Sequence, residues 1–485
     1  MSLFIKKPLE SLLAQAGDSD KGLKRTLGAG NLIALGIGAI IGAGLFVRTA
    51  AAAGDSAGPA VVISFIIAAI GCAFAGLCYA EFSAMIPVAG SAYTYAYATM
   101  GEFVAWIIGW ALVLEYALAS ATVSIAWSEY LNNLLISFDL GQIPYQWTHS
   151  PFETSADGVT GIMNLPAFFI VAALSLILVK GTQESALVNA IIVIVKVSIV
   201  LIFIALGWGY INTDNYTPFM IPQGPGHEGF FEFGWGGVLN GAGVVFFAFI
   251  GFDAVSTAAQ EAKNPKRDMP IGILGSLIVC TILYILFSHV LTGVANYKDF
   301  QLAGKEASVA YAIQTYMSGY EWLAKLITLA ILAGFSSVIL VMLMGQSRVF
   351  YSMSKDGLIP PVFSDLHPKF RTPWKSNLIL LFFVGIFAAF VPGSVAGDLT
   401  SIGTLFAFVL VCVGIWVLRV KSPDINRPFK TPLVPFVPIM GILVCSAMII
   451  SLDSLTQQAA LGWMIVGLFV YFLYSKKHSH LRKNS

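Results

Sequence analysis

Four glycines in nine residues interrupt one apolar stretch, Gly36-Ile37-Gly38-Ala39-Ile40-Ile41-Gly42-Ala43-Gly44-Leu45-Phe46. At Gly42-Ala43-Gly44 a helix can open. The N–H groups that begin its second half, with the positive end of that half's dipole, then form an anion site whose natural guest is a carboxylate. Close packing at small residues is the simpler use of one glycine pair in a membrane helix, but it does not call for four. A second interruption lies in Val245-Phe246-Phe247-Ala248-Phe249-Ile250-Gly251-Phe252-Asp253, preceded by Gly241 and Gly243. Unwound carbonyls of Phe247, Ala248 and Ile250 would accept bonds from an ammonium, and Phe247 or Phe249 would close over it. The simpler use of such aromatics is packing or lipid contact; their place beside a glycine break argues for more. A carboxylate site opposite an ammonium site describes an amino acid.

Three charged residues lie deep in apolar sequence, where a charge needs a reason. Lys196, in Ile191-Ile192-Val193-Ile194-Val195-Lys196-Val197-Ser198-Ile199-Val200, is too far from either end of its stretch to snorkel easily. A buried ammonium is costly, which suits a group that gains and loses a coupling proton. A fixed counter-charge or a substitute for a bound sodium ion would use the same position. Glu115 (Trp110-Ala111-Leu112-Val113-Leu114-Glu115-Tyr116) and Asp253 suit a water-linked acid pair near the site, or a structural contact between helices. Glu81, Glu102 and Glu261 lie nearer the ends of apolar stretches and read as structural or gating.

Membrane-crossing helices must position these groups. The chain is 57% hydrophobic and 11% charged, with mean hydropathy +0.80, whereas a soluble domain is about one-quarter charged. Apolar stretches of about 20 residues recur, each able to cross a ~30 Å hydrocarbon core, and backbone groups in lipid must be paired internally, which dictates helices. The expected fold class is an all-α polytopic membrane protein with twelve spans, near 28–51, 58–85, 101–131, 164–182, 185–210, 236–261, 270–294, 320–352, 374–392, 396–420, 433–453 and 456–475.

With the N-terminus inside, all but five of the 27 Lys and Arg face the cytoplasm, the expected asymmetry. The five are Arg48, Lys298, Lys305 and Lys325 toward the outside and Lys196 in mid-membrane. Residues 1–27, which lack a signal-peptide pattern, read as a cytoplasmic N-terminal tail and 476–485 as a cytoplasmic C-terminal one, on a protein of the cytoplasmic membrane. Loop 211–235, with Pro218, Pro222, Gly224, Pro225 and Gly226, reads as an irregular outer cover, and the small, uncharged, aromatic segment 84–100 as re-entrant. Glycine breaks at matching positions of spans 1 and 6 point to an inverted repeat around a midplane site. The repeats would be 28–210 and 236–420, with 433–475 added.

No enzyme constellation is present: no phosphate-binding Gly-x-x-x-x-Gly-Lys-Ser/Thr loop, no His-Glu-x-x-His and no Gly-x-Ser-x-Gly. The five cysteines all fall in apolar stretches, which argues against a disulfide framework or a zinc site. No cofactor or metal is expected.

Further motifs carry a family resemblance. They are Gly36-Ile37-Gly38-Ala39-Ile40-Ile41-Gly42; Cys78-Tyr79-Ala80-Glu81-Phe82 followed by Pro87-Val88-Ala89-Gly90-Ser91-Ala92-Tyr93-Thr94-Tyr95; Gly251-Phe252-Asp253-Ala254-Val255-Ser256-Thr257-Ala258-Ala259; and, most specific, Glu261-Ala262-Lys263-Asn264-Pro265-Lys266-Arg267-Asp268-Met269-Pro270-Ile271-Gly272-Ile273. From about residue 20 onward the chain resembles the amino acid–polyamine–organocation (APC) superfamily, and within it the bacterial members of the cationic amino acid transporter family.

The resemblance implies the five-plus-five inverted-repeat fold with discontinuous helices 1 and 6, a helical segment outside at 305–317, and proton-coupled import of an L-amino acid by alternating access. By motif, Ile40, Ile41, Gly42, Ala43, Gly44, Phe247, Ala248 and Ile250 would hold the substrate backbone. Lys196 would replace a sodium ion and bridge span 1 to a hydroxyl of span 8, Ser336 or Ser337. Met342 would limit side-chain room, which favours small neutral amino acids; exchange, or uptake of cationic amino acids, are the alternatives. The implied partners are an amino acid, a proton and the bilayer, with no nucleic acid, and the implied state is a monomer. Two residues depart from the family pattern: Ala43 stands where close relatives more often carry Thr, and Arg48 replaces a usually apolar residue.

Overall fold

The computed structural model describes residues 3–8, 11–12, 27–42, 44–88, 90–155, 157–180, 185–224, 229–259, 262–302, 308–370 and 372–483. Most of the expected N-terminal tail, Ala43, Glu261 and the start of the expected 305–317 helix therefore lie outside the described residues. The described part is helical, with no β-ladder. Eight of its helices are long and apolar enough to cross a membrane, and four shorter apolar helices accompany them: Ala29–Ile40, Leu165–Lys180, Trp374–Phe390 and Phe436–Ser451.

The first stretch breaks where the glycines lie. Helix α1 (Ala29–Ile40) stops at Ile41, which turns extended (φ −74°, ψ 105°); helix resumes as a π-helical turn at Gly44–Arg48 and continues through Thr49–Ala52 and Ala53–Ala57. After α2 (Val61–Met85) comes a short helix, α3 (Ser91–Thr99), set between Gly90 (φ 120°) and Gly101 (φ 103°) and buried from Ser91 to Tyr97. This is the segment read as re-entrant. Helix α4 runs Glu102–Ser137, beyond the boundary expected near 131, because no Gly or Pro lies between residue 131 and Gly141.

Helices α5 (Leu165–Lys180) and α6 (Ser185–Gly207) lead to the second broken stretch. There α7 (Gly234–Val245) tightens into a 3-10 turn at Phe246–Phe249, Ile250 is extended, and Gly251 sits at φ 116° before the short α8 (Ala254–Thr257). Only glycine adopts that φ without strain. The remaining long elements are α9 (Pro265–Val294), α10 (Ser308–Tyr316), α11 (Glu321–Lys355), α12 (Trp374–Phe390), α13 (Gly393–Lys421), α14 (Phe436–Ser451) and α15 (Ser454–Val470). Helix α4 packs along α11 and α13, while α9 packs along α1 and α2.

Both ends of the described chain meet on one face. The Glu102 N–H donates to the Ile5 carbonyl (2.9 Å), and Lys7 Nζ donates to Asp356 (2.8 Å). From the other end, Arg482 Nε donates to Glu102 (2.6 Å), and the His480 N–H to the Asp356 carbonyl (3.0 Å).

Candidate functional site

The two breaks are pressed together at two points, each requiring glycine. A Cβ on Gly44 would collide with the Ala248 backbone, falling 2.6 Å from its nitrogen, and a Cβ on Gly251 would lie 2.9 Å from the Ala39 carbonyl group. The sequence thus lets two interrupted helices touch backbone to backbone, which brings polar main-chain groups to one place inside apolar surroundings.

Where a helix stops, carbonyls lose their partners and need others. Lys196, 1% exposed on α6, supplies them: its Nζ donates to the carbonyls of Gly38 (2.7 Å) and Ile41 (2.8 Å). In an unbroken helix these would accept from residues 42 and 45; the Leu45 N–H instead turns to Gly42. The lysine stem lies on α11, where a Cβ on Gly334 would be 3.0–3.2 Å from its Cγ, Cδ and Cε. Of the two expected span 8 hydroxyls, Ser336 donates to Leu332 of its own helix (2.9 Å), and Ser337 is buried on α11 close beyond Gly334.

Tyr284 on α9 does the same for the other carbonyls. Its buried hydroxyl lies 3.0 Å from the Ile40 carbonyl and 2.8 Å from that of Ala248, one from each break. Nothing in the sequence singled it out. The Phe247 carbonyl accepts from the Ile250 N–H (3.3 Å), and every carbonyl oxygen keeps a second lone pair for another donor.

Between the breaks lies a void of about 10 Å³, room for about one water. Ile40, Gly42, Gly44, Phe247, Ile250 and Met342 line it, whereas Ile41 and Ala248 are not in the lining, their carbonyls meeting Lys196 and Tyr284. Ala39, Ala119, Val123 and Val338 complete the lining; as aliphatic residues in aliphatic spans they carried no distinguishing signal. No charged side chain is among these lining residues.

The two deep carboxylates sit apart from that lining. Asp253 accepts from the Tyr116 hydroxyl (2.7 Å), while neither oxygen of the buried Glu115 has a hydrogen-bond partner among the described residues, so no hydrogen bond joins the two acids there. Tyr79 and Tyr95 pack edge to face with rings 6.4 Å apart, and the Ser256 hydroxyl donates to that of Ser91 on α3 (3.0 Å). Elsewhere, Glu81 is pinned by Arg419 (2.8 and 3.0 Å), Arg427 (3.0 Å) and the Thr431 N–H (2.7 Å), a structural clasp between α2 and the segment after α13. Arg48, whose partner the sequence left open, pairs with Asp398 of α13.

Comparison with known proteins identifies the family. Residues 27–472 match the amino acid permease family model. A branched-chain amino acid permease of Bacillus subtilis is 45% identical over 482 residues, covering 99% of both chains. A methylthioribose transporter of the same organism is 42% identical over 99% of this chain and 100% of its own. The vacuolar cationic amino acid transporter 4 of Arabidopsis thaliana is 34% identical over 87% of this chain and 68% of its own. These relatives are carriers rather than enzymes, and the chain belongs with them to the amino acid permease family of the APC superfamily.

Proposed function

We propose that this permease imports a neutral aliphatic L-amino acid together with a proton, by alternating access. The observation that carries the reading is the Lys196 ammonium bound to two carbonyls at the first break, beside a void whose lining is apolar, mostly aliphatic with Phe247. The substrate carboxylate takes the N–H groups at the start of 44–57. Its ammonium takes carbonyls of the second break, Ile250 and Phe247 first. Its side chain enters among Ala119, Val123, Val338 and Met342.

Protonated Lys196 clamps the end of α1 to α6. Loss of the proton removes the charge and one donor, weakens that clamp and frees α1 to swing away, opening a path to the face that carries both ends of the chain. Ser337 and Ser336 stand on α11 to take part in the bridge. Glu115 and Asp253 form the polar network along that path. We read the helices as twelve spans in two inverted repeats of five, 28–210 and 236–420, with 433–475 added. The lysine- and arginine-rich tails then lie in the cytoplasm, and the protein acts as a monomer in the cytoplasmic membrane.

The relative named for branched-chain amino acids supports an aliphatic guest and widens the small neutral expectation to leucine, isoleucine and valine. The relative named for methylthioribose favours a second reading, a neutral thiosugar; an anion-binding helix start speaks for the amino acid, since such a sugar has no carboxylate. Cationic amino acids are disfavoured by a lining without a carboxylate. A thermal-shift screen of the twenty amino acids and methylthioribose on purified protein tests the assignment, because a ligand at 100 times its Kd stabilises by about 2.7 kcal/mol. Stabilisation by aliphatic amino acids is expected; a response confined to arginine and lysine, or to methylthioribose, overturns it.

A further inference from the structure

Residues 3–8 cap the first turn of α4. A helix start leaves N–H groups without partners in the helix, and this strap supplies them: the Glu102 N–H donates to the Ile5 carbonyl (2.9 Å) and the Phe103 N–H to that of Leu3 (3.3 Å), while the Lys7 N–H donates to the Tyr97 carbonyl (3.1 Å). The strap also presses on Gly101, where a Cβ would come within 2.6 Å of the Phe4 backbone. Main-chain bonds on one side decide which side chains turn to the other. Leu3, Ile5 and Lys7 are half-buried, whereas Phe4, Lys6 and Pro8 are exposed.

Phe4 and Lys6 thus face outward together, each with a neighbour of its own kind. Phe4 is 56% exposed, and its ring stands edge-on to Phe103 (6.5 Å), which meets Phe472 (6.1 Å). Phe472 and Leu473 are exposed near the end of the apolar stretch Ser454–His478, so Phe4 continues a lipid-facing surface at the level that aromatic rings favour in a membrane. Lys6 stands beside a second cation. Burial, and then the ammonium of Lys421 at the end of α13, hold the Lys6 pKa below that of a free lysine. Val420, next to Lys421, is 70% exposed, and a third ammonium, that of Lys476, lies 5.7 Å from the centre of the Phe472 ring. Like charges kept together at an apolar rim oppose each other unless an anion joins them.

We propose that this rim binds an anionic phospholipid of the adjoining leaflet, its phosphate between Lys6 and Lys421 and its acyl chains against Phe4, Phe472 and Val420. Two chemistries side by side identify the partner. Clustered lysines at a membrane surface call for an anionic headgroup, and the exposed apolar side chains beside them call for hydrocarbon, which a soluble phosphate does not carry. By holding residues 3–8 in place, the lipid secures the cap on α4 and the bond from Lys7 to Asp356 at the end of α11.

Thermal midpoints of the purified full chain in detergent, titrated with dioleoylphosphatidylglycerol, dioleoylphosphatidylcholine, glycerol 3-phosphate or soluble polyglutamate, test this. Phosphatidylglycerol should raise the wild-type midpoint saturably, and the other three should not. Lys6→Gln combined with Lys421→Gln should keep the wild-type midpoint in phosphatidylcholine but need roughly 30-fold more phosphatidylglycerol for the same rise, the combined contribution of two lysines at an anionic surface. Lys6→Arg with Lys421→Arg should respond as wild type does, and Phe4→Ser should respond more weakly. An equal response from wild type and the glutamine pair overturns the site, and a response to phosphatidylcholine as large as that to phosphatidylglycerol overturns the charge recognition. Stabilisation by glycerol 3-phosphate points to a free phosphate ester and by polyglutamate to an acidic protein; either overturns the lipid assignment. No arm uses a transport substrate, so the function proposed above stands or falls separately.

Discussion

Gly44→Ala tests whether contact between the two breaks shapes the substrate site. The added methyl would meet the Ala248 backbone nitrogen at 2.6 Å and its Cβ at 2.8 Å, and backbone cannot rotate out of the way. The breaks must separate, and overpacking of this kind costs about 1–3 kcal/mol. If binding has to re-form the contact, that cost falls on affinity, and each ~1.4 kcal/mol is tenfold, giving roughly 5- to 150-fold weaker binding. Two further glycines calibrate it. A Cβ on Gly42 meets a side-chain methyl of Val338 at 2.9 Å, and one on Gly30 meets nothing within 4 Å. Affinity measured by calorimetry on folded, monodisperse protein should rank Gly44→Ala weakest, Gly42→Ala next, and Gly30→Ala level with wild type. Gly30→Ala should also gain some stability, since alanine is the better helix former by up to about 1 kcal/mol. Wild-type affinity in Gly44→Ala would refute the reasoning.

Two further substitutions probe the supports. Tyr284→Phe strips a buried donor from the Ile40 and Ala248 carbonyls; at about 1–3 kcal/mol for buried groups left unsatisfied, the thermal midpoint should fall and uptake weaken, and an unchanged midpoint would show the hydroxyl to be dispensable. Glu102 accepts bonds from Tyr97, Tyr471 and Arg482 while fully buried, so Glu102→Ala should release the C-terminal segment. Limited trypsin digestion should then cut faster at Lys476 and Lys477, and an unaltered cleavage rate would contradict that anchoring role.

How far the sequence reveals this protein depends on whether a residue's job is local. Both breaks were legible, because helix opening follows from glycine's own backbone, and Gly251 at φ 116° is the plainest case. Lys196 was conspicuous because a charge in apolar sequence has no ordinary use there, but its acceptors, the Gly38 and Ile41 carbonyls 158 and 155 residues away, were not. Tyr284, Ala119, Val123 and Val338 went unnoticed because packing, not residue type, turns them toward the breaks. Arg48 drew attention as an oddity, and only the fold brings Asp398, 350 residues on, beside it. The extra length of α4 was missed for a plainer reason: the span was bounded near 131, where its apolar run gives out, yet a helix ends where its backbone is broken, and the helix runs on to Ser137.

The central claim is that protonation of Lys196 couples an outside proton to amino acid movement. Its most direct test is radiolabelled leucine uptake into proteoliposomes with an imposed inward proton gradient, comparing wild type with Lys196→Ala and counterflow with net accumulation. Wild type should accumulate leucine above equilibrium and lose that ability when the gradient is collapsed, and Lys196→Ala should show no concentrative uptake. Undiminished pH-driven accumulation by Lys196→Ala, or wild-type counterflow without net uptake, would contradict the account.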